Sequence, residues 1–204
     1  MKTRSEVFPV LQAQMPASPL DLVRDELTRP TRDLPNAITL ATVDAAGRPR
    51  ARVVLLKEVD DRGVVFFSNY ESDKSRDLEA NPHAAVAVYW HETLTQVRVA
   101  GRVEKLTEAE SDAYFATRPR GSQIGAWASD QSRPLEDFDD LKRRVAEVER
   151  QYEGQDVPRP PHWGGWRIVA DDVEIWKDGE FRLHRRERYR LGVDGTWSMT
   201  LLNP

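Results

Sequence analysis

The apolar positions of this chain fall mostly into short β-like runs closed by turn residues, with helical spacing confined to four stretches. "NAITLATVD" (36–44), "VVFFSN" (64–69), "AAVAVYW" (84–90) and "LTQVRVAGRVEKL" (94–106) read as strands. "RARVVLLKEVD" (50–60) is apolar on both faces in its middle, which predicts a buried strand. "DAAGRP" and "DDRG" supply turns between them. "SPLDLVRDELTR" (18–29) predicts a helix with Ser18 as N-cap, Pro19 at the first helical position, and Leu20, Val23 and Leu27 on one face. "SDKSRDLEANP" (72–82) predicts a short helix capped by Ser72 and stopped before Pro82. "TEAESDAYFATR" (107–118) opens with Thr107 and Glu110 at capping-box spacing. "PLEDFDDLKRRVAEVERQYEG" (134–154) predicts a long charged helix, with Leu135, Phe138, Leu141, Val145 and Val148 near one face. The proline-rich "DVPRPPHWGGW" ends the helical part, and "WRIVADDVEIW", "FRLHRRERYRL" and "TWSMTLL" return to strand.

Short turns without regular strand–helix alternation predict an antiparallel barrel with flanking helices rather than a doubly wound sheet. The expected organisation is one domain: an N-terminal segment and helix (1–35), barrel strands (36–106), a helical segment (107–154) and C-terminal strands completing the barrel (155–204). Both sets of strands belong to one sheet system on this reading, because closure removes exposed edges.

Composition narrows the partners. The chain has 204 residues, 39% of them hydrophobic and 31% charged, enough for a core and a well-solvated surface. A net charge of -4 gives no global pull toward nucleic acid or anionic membrane, so any anion site must be local. There is no cysteine, which removes disulfides, thiol catalysis and zinc–thiolate sites. No run is long enough for a signal sequence core or a membrane span, and the expected location is the cytoplasm.

Four features carry candidate chemistry. Read as a strand, "EFRLHRRERYRL" (180–191) places Arg182, His184 and Arg186 on one face, two guanidiniums around an imidazole. Such like charges call for an anion. Trp176 just upstream adds an aromatic plane, which suits a flat anionic ligand. The alternative is a basic strand paired with acids on a neighbouring strand. In "YFATRPRGSQIGAW" (114–127), Tyr114 and Arg118 are four apart, and Arg118, Arg120 and Ser122 surround a Pro-Arg-Gly break. Arginines, a hydroxyl and free amides at a helix start suit a phosphate, and a basic surface turn is the competing account. Arg52 and Lys57 lie in a strand that reads as buried; they either form a site or reach water from near the strand ends. Their opposite parity does not place them together. Gln96 in "TQVRVAG" is either a donor to a heterocycle edge or an exposed strand residue. Dinucleotide, Walker and nucleophile-elbow motifs are absent, and His83, His91, His162 and His184 lack metal-ligand spacing, so no metal is expected.

Taken together, "RVVLLK" (52–57), "RPRGSQIGAWAS" (118–129), "WGG" (163–165) with "EIW" (174–176), and "FRLHRRERY" (181–189) resemble the pyridoxamine 5′-phosphate oxidase family, from about residue 16 to the end. The resemblance implies an FMN-binding split β-barrel homodimer, with FMN in clefts between subunits. It implies oxidation of pyridoxamine or pyridoxine 5′-phosphate to pyridoxal 5′-phosphate, by hydride transfer from the substrate C4′ to the flavin, with O2 as acceptor and H2O2 as product. By position it assigns FMN contacts to Arg52, Val53, Val54, Leu55, Lys57, Phe67, Ser68, Lys74, Gln96, Gln131, Ser132, Trp176 and Arg186. It assigns substrate contacts to Lys57, Tyr114, Arg118, Ser122, Arg182 and His184, the last two at the reacting centre. Asp73 stands where the family usually has arginine, and Arg4 is the candidate for an N-terminal lid residue. The phenazine-pathway branch of the barrel lacks the "LLK" and "RPRGSQIGAW" pattern. The rivals are a split-barrel flavin oxidase for another substrate and a non-catalytic module binding a phosphorylated ligand.

Overall fold

The computed structural model describes residues 18–28 and 36–204. The Arg4 assignment, and most of the expected N-terminal segment, lie outside the described residues. Eight strands form one antiparallel sheet: β1 (Ala37–Val43), β2 (Pro49–Val59), β3 (Gly63–Asn69), β4 (His83–Trp90), β5 (Thr95–Lys105), β6 (Trp163–Lys177), β7 (Arg185–Leu191) and β8 (Trp197–Leu202). The spatial order is β3-β2-β1-β4-β5-β6-β7-β8, and a further β3–β6 pairing closes the first six into a barrel.

The closure is a fork in β6. Its residues 163–169 pair with β3, and its residues 172–177 pair with β7. On its other edge, β6 pairs along nearly its whole length with β5, with a register shift beside Ala100 and Gly101 that leaves Asp171 unpaired. A bulge bends and twists a strand, and here it falls where one partner is exchanged for another. Two glycines make this possible. A Cβ on Gly101 would sit 1.8 Å from the Val169 carbonyl oxygen, and one on Gly63 would sit 1.8 Å from that of Ile168. Only a bare backbone fits against β6 at these points.

The barrel interior is the main core, with Leu40, Val64, Phe66, Val97, Val99, Ile168 and Val173 fully enclosed. Leu20 and Val23 of α1 (Pro19–Thr28) pack into it, as their helical spacing predicts. A second core of Phe115, Ile124, Val157 and Trp163 lies under α3 (Glu108–Ala116), α4 (Arg120–Ala128) and α5 (Phe138–Gln151). The Thr107–Glu110 capping box forms in full. For α2 (Asp73–Ala80), Ser72 sits at the N-cap, but its hydroxyl donates to the Asn69 carbonyl instead of capping the helix. Among the described residues no helix is long and apolar enough to cross a membrane.

Three expectations need correction. The outer face of β2 is open in the single chain, with Val53 67% and Leu55 39% exposed. A strand apolar on both faces therefore has one face uncovered here. The long helix begins at Phe138, after an Asp137 cap, and Leu135 and Phe138 are exposed rather than packed. Finally, 180–191 is not one strand. Glu180–Arg182 form a short 3-10 turn, with Phe181 and Arg182 in left-handed backbone, and β7 starts only at Arg185. The chain leaves β6 at Lys177 and must return antiparallel opposite it at Arg185. The intervening residues make the reversal, so Arg182, His184 and Arg186 do not share a strand face.

Candidate functional site

A cleft of about 670 Å³ opens between β2, β3 and the α3–α4 segment. It brings together Val53, Val54, Leu55, Lys57, Phe67, Ser68, Lys74, Tyr114, Arg118, Ser122 and Gln131 from the sequence-derived set. These positions come from four stretches of chain, so the fold rather than sequence proximity assembles them. Lys57 shares the strand parity of Val53 and Leu55 and lines the cleft with them, and it is left unpaired at a bulge between Leu56 and Glu58.

One end of the cleft is cationic over an aromatic floor. Phe67 stacks on Tyr114 at 3.9 Å and on Trp163 at 5.3 Å between ring centroids. The Arg118 guanidinium lies 4.5 Å over the Trp163 ring, a cation–π contact that fixes its plane. Its Nη1 is buried with no hydrogen-bond partner among the described residues. Burial depresses the Arg118 pKa, with Tyr114 acting weakly the other way, yet a guanidinium stays charged at any ordinary pH. Ser122 sits in the first turn of α4, whose N-cap, Pro119, offers no side-chain bond to the helix amides. The result is a charge, a hydroxyl and a phenol lining one volume.

The other end centres on Lys74. Its Nζ donates to Ser68 Oγ at 3.1 Å, Ser72 Oγ at 3.1 Å and Gln131 Oε1 at 2.8 Å. Burial, and then the charge of Arg52, bring its pKa from 10.5 down to about 8, with Asp73 opposing them. An adjoining groove is lined by Arg50, Ala51, Arg52, Asp73, Lys74, Gln131 and Ser132. Arg52 is aimed there by Thr42 Oγ1 at 2.6 Å and Asp77 Oδ2 at 3.3 Å. Thr42 in turn donates to Asp77 at 2.7 Å. Asp73 faces Arg76 at 3.7 Å, one turn along α2. Sequence reasoning missed Thr42 and Asp77, whose contacts with Arg52 span 10 and 25 residues and leave no local signal.

The remaining candidates form a second group, outside the lining of this cleft in the same chain. Gln96, Trp176 and Arg186 are register neighbours across β5, β6 and β7. The Trp176 ring lies 4.6 Å from that of His184. His184 Nδ1 is 3.1 Å from Asp178 Oδ1. Arg186 donates to Glu174 Oε1 at 2.9 Å and to the Asn203 carbonyl at 3.0 Å. Glu174 is 3% exposed and also faces Arg98 at 3.1 Å. Arg188 and Arg190 pair with Asp172. Most of the basic strand is thus answered by acids of its own chain, whereas Arg182 is exposed on the turn before it.

Comparison with known proteins gives the context for this geometry. The profile described as pyridoxamine 5′-phosphate oxidase matches residues 25–152. That of the pyridoxine 5′-phosphate oxidase C-terminal dimerisation region matches residues 163–204, which span β6 to β8. A pyridoxine/pyridoxamine 5′-phosphate oxidase of Myxococcus xanthus strain DK1622 is 49% identical over 207 residues, covering 100% of both chains. One of Cupriavidus necator is 55% identical over 170 residues, covering 83% of this chain and 80% of the relative. Among solved structures, PhzG from Burkholderia lata 383 in complex with tetrahydrophenazine-1-carboxylic acid superposes with a TM-score of 0.86 at 33% identity, covering 94% of this chain and 95% of that one. An FMN-binding protein of Nostoc punctiforme shares the fold at a TM-score of 0.67 and 17% identity, over 83% of this chain and 88% of that one. With a full-length relative at 49% identity and family profiles matching both halves, the chain belongs to the pyridoxamine 5′-phosphate oxidase family of split-barrel oxidases.

Proposed function

We propose that this enzyme oxidises pyridoxamine 5′-phosphate or pyridoxine 5′-phosphate to pyridoxal 5′-phosphate, with FMN as cofactor and dioxygen as acceptor, yielding hydrogen peroxide. The observation that carries this reading is Arg118, a guanidinium fixed on Trp163 with a buried Nη1 that no described residue satisfies. Leaving such a donor unmet costs roughly 1–3 kcal/mol, and a phosphate in the cleft would give the guanidinium the charged partner that no described side chain supplies. Lys57, Tyr114 and Ser122 would share that phosphate.

The groove at the other end fits the FMN phosphate. Lys74, Arg52 and the Ser132 hydroxyl line it, and Asp73 is engaged with Arg76. Ser68 and Gln131 hold the Lys74 ammonium in position. Val53, Val54, Leu55 and Phe67 would wall the flavin. FMN, when bound, supplies hydride acceptance and delivery of electrons to dioxygen. The protein's part is placement. Anchoring the substrate phosphate at Arg118 holds the reacting carbon in one position, and Arg182 and His184 would orient and polarise it.

The site is proposed to be shared between two subunits. Cleft residues and the group of Gln96, Trp176, Arg182, His184 and Arg186 would come from opposite chains of a homodimer. The open apolar face of β2 and the dimerisation-region match over residues 163–204 support this. The test is to identify the flavin released from purified protein and follow oxygen uptake with pyridoxamine 5′-phosphate. Protein that takes up no FMN, or that binds it and consumes no oxygen with this substrate, would refute the proposal. The likeness to PhzG favours one second reading, a carboxylated tricyclic substrate. Tetrahydrophenazine-1-carboxylic acid is therefore the comparison substrate.

A further inference from the structure

We infer that Asp178 is a positioning residue that fixes the tautomer and orientation of His184; the inference rests on the reading of His184 as a substrate contact. Two groups compete for His184 Nδ1. Asp178 Oδ1 lies 3.1 Å away and can only accept a proton from it. The Gly179 amide lies 3.3 Å away and can only donate to it. These demands are exclusive, because Nδ1 of a neutral imidazole either carries the proton or offers the lone pair. The carboxylate is both nearer and charged, and charge-assisted bonds are about twice as strong as neutral ones. The proton therefore sits on Nδ1.

That choice settles what the other nitrogen does. With Nδ1 protonated, Nε2 keeps its lone pair, and no described residue donates to it. It is then an acceptor for a substrate N–H or O–H. Without Asp178 the Gly179 amide is the only partner left for Nδ1 among the described residues, so the proton moves to Nε2 and the acceptor becomes a donor. The segment is built to hold this contact. Trp176 packs on the imidazole at 4.6 Å. Asp178 is tied back through its amide to the Leu94 carbonyl, and the Leu183 amide donates to the Glu180 carbonyl. Left-handed backbone at Phe181 and Arg182 completes the turn; that conformation is costly for non-glycine residues and is kept where the surroundings require it.

The experiment uses FMN-loaded protein with 15N-labelled histidine. The wild type should show a protonated Nδ1 and a bare Nε2 for His184, assigned by its loss in His184→Ala. Asp178→Ala should reverse the pattern and lower kcat about 10- to 100-fold, the loss of one charge-assisted bond, with FMN content unchanged. Asp178→Glu should recover part of both. An unchanged tautomer in Asp178→Ala overturns the inference. So does a kcat loss in Asp178→Ala without one in His184→Ala, because Asp178 would then act elsewhere. A fully active His184→Ala overturns the underlying reading of His184 itself, a result that the tautomer spectra keep separate.

Discussion

Arg118 should be the residue whose loss separates substrate affinity from turnover. Its guanidinium is pinned over Trp163 at 4.5 Å, and its buried Nη1 lacks a partner among the described residues. Replacing it with methionine keeps the volume and an aromatic contact while removing the charge. One charge-assisted bond to phosphate is worth about 1.5–3 kcal/mol. At about 1.4 kcal/mol per decade, that raises KM for pyridoxamine 5′-phosphate about 10- to 100-fold. The phosphate is remote from the reacting carbon, so ground and transition states lose the contact alike and kcat changes little. Stability behaves differently. The substitution forfeits a cation–π contact of about 0.5–2 kcal/mol and removes an unmet buried donor costing about 1–3 kcal/mol. These nearly cancel, so substrate-free Tm should move by no more than about 2–4 °C. Oxygen-uptake kinetics and thermal melts read both effects. A collapse of kcat at unchanged KM, or a Tm loss well beyond that range, would show that Arg118 serves the reacting centre or the core instead.

Other expectations follow from the same geometry. Lys74 titrates near pH 8 because of burial and Arg52; its charged form attracts the FMN phosphate, so FMN affinity should hold below pH 8 and weaken as pH rises through it, and Lys74→Met should flatten that slope in a flavin-fluorescence titration. Asp73→Arg should tighten FMN binding severalfold, since it replaces a carboxylate lining the groove with a cation; equal dissociation constants would mean that the side chain points to solvent. Gly101→Ala places a methyl 1.8 Å from the Val169 oxygen and should cost at least about 1–3 kcal/mol in chemical unfolding, whereas Gly121→Ala meets nothing within 4 Å and should not. Arg186→Ala should lose flavin and also lower Tm, because Glu174 is left buried with Arg98 as its remaining ion-pair partner; flavin loss with an unchanged Tm would separate the two roles.

The strands were legible because turn chemistry closes each apolar run, and the Thr107–Glu110 cap carries its own signature. The fork of β6 was not, since nothing local marks the residue at which β3 gives way to β7. The opposite parity of Arg52 and Lys57 was a true signal: Lys57 lines the cleft and Arg52 lines the adjoining groove. The turn at 180–182 was hidden because Phe181 and Arg182, neither glycine nor asparagine, occupy left-handed backbone there. Of the assigned site residues, those on β2, β3 and the α3–α4 segment gather in one cleft, and those on β5 to β7 gather elsewhere. A single sequence does not express that division, which the proposed homodimer would resolve between two copies. Part of the "WGG" signal is packing, since a Cβ on Gly164 would lie 2.2 Å from the Tyr70 hydroxyl.

The most direct test of the central claim is a single turnover without oxygen. FMN-loaded protein mixed anaerobically with pyridoxamine 5′-phosphate should lose its visible flavin absorbance and form one pyridoxal 5′-phosphate per flavin. Admitting oxygen should restore the colour and release an equivalent of hydrogen peroxide. Flavin absorbance that persists with this substrate, but bleaches with an unphosphorylated one, would contradict the account.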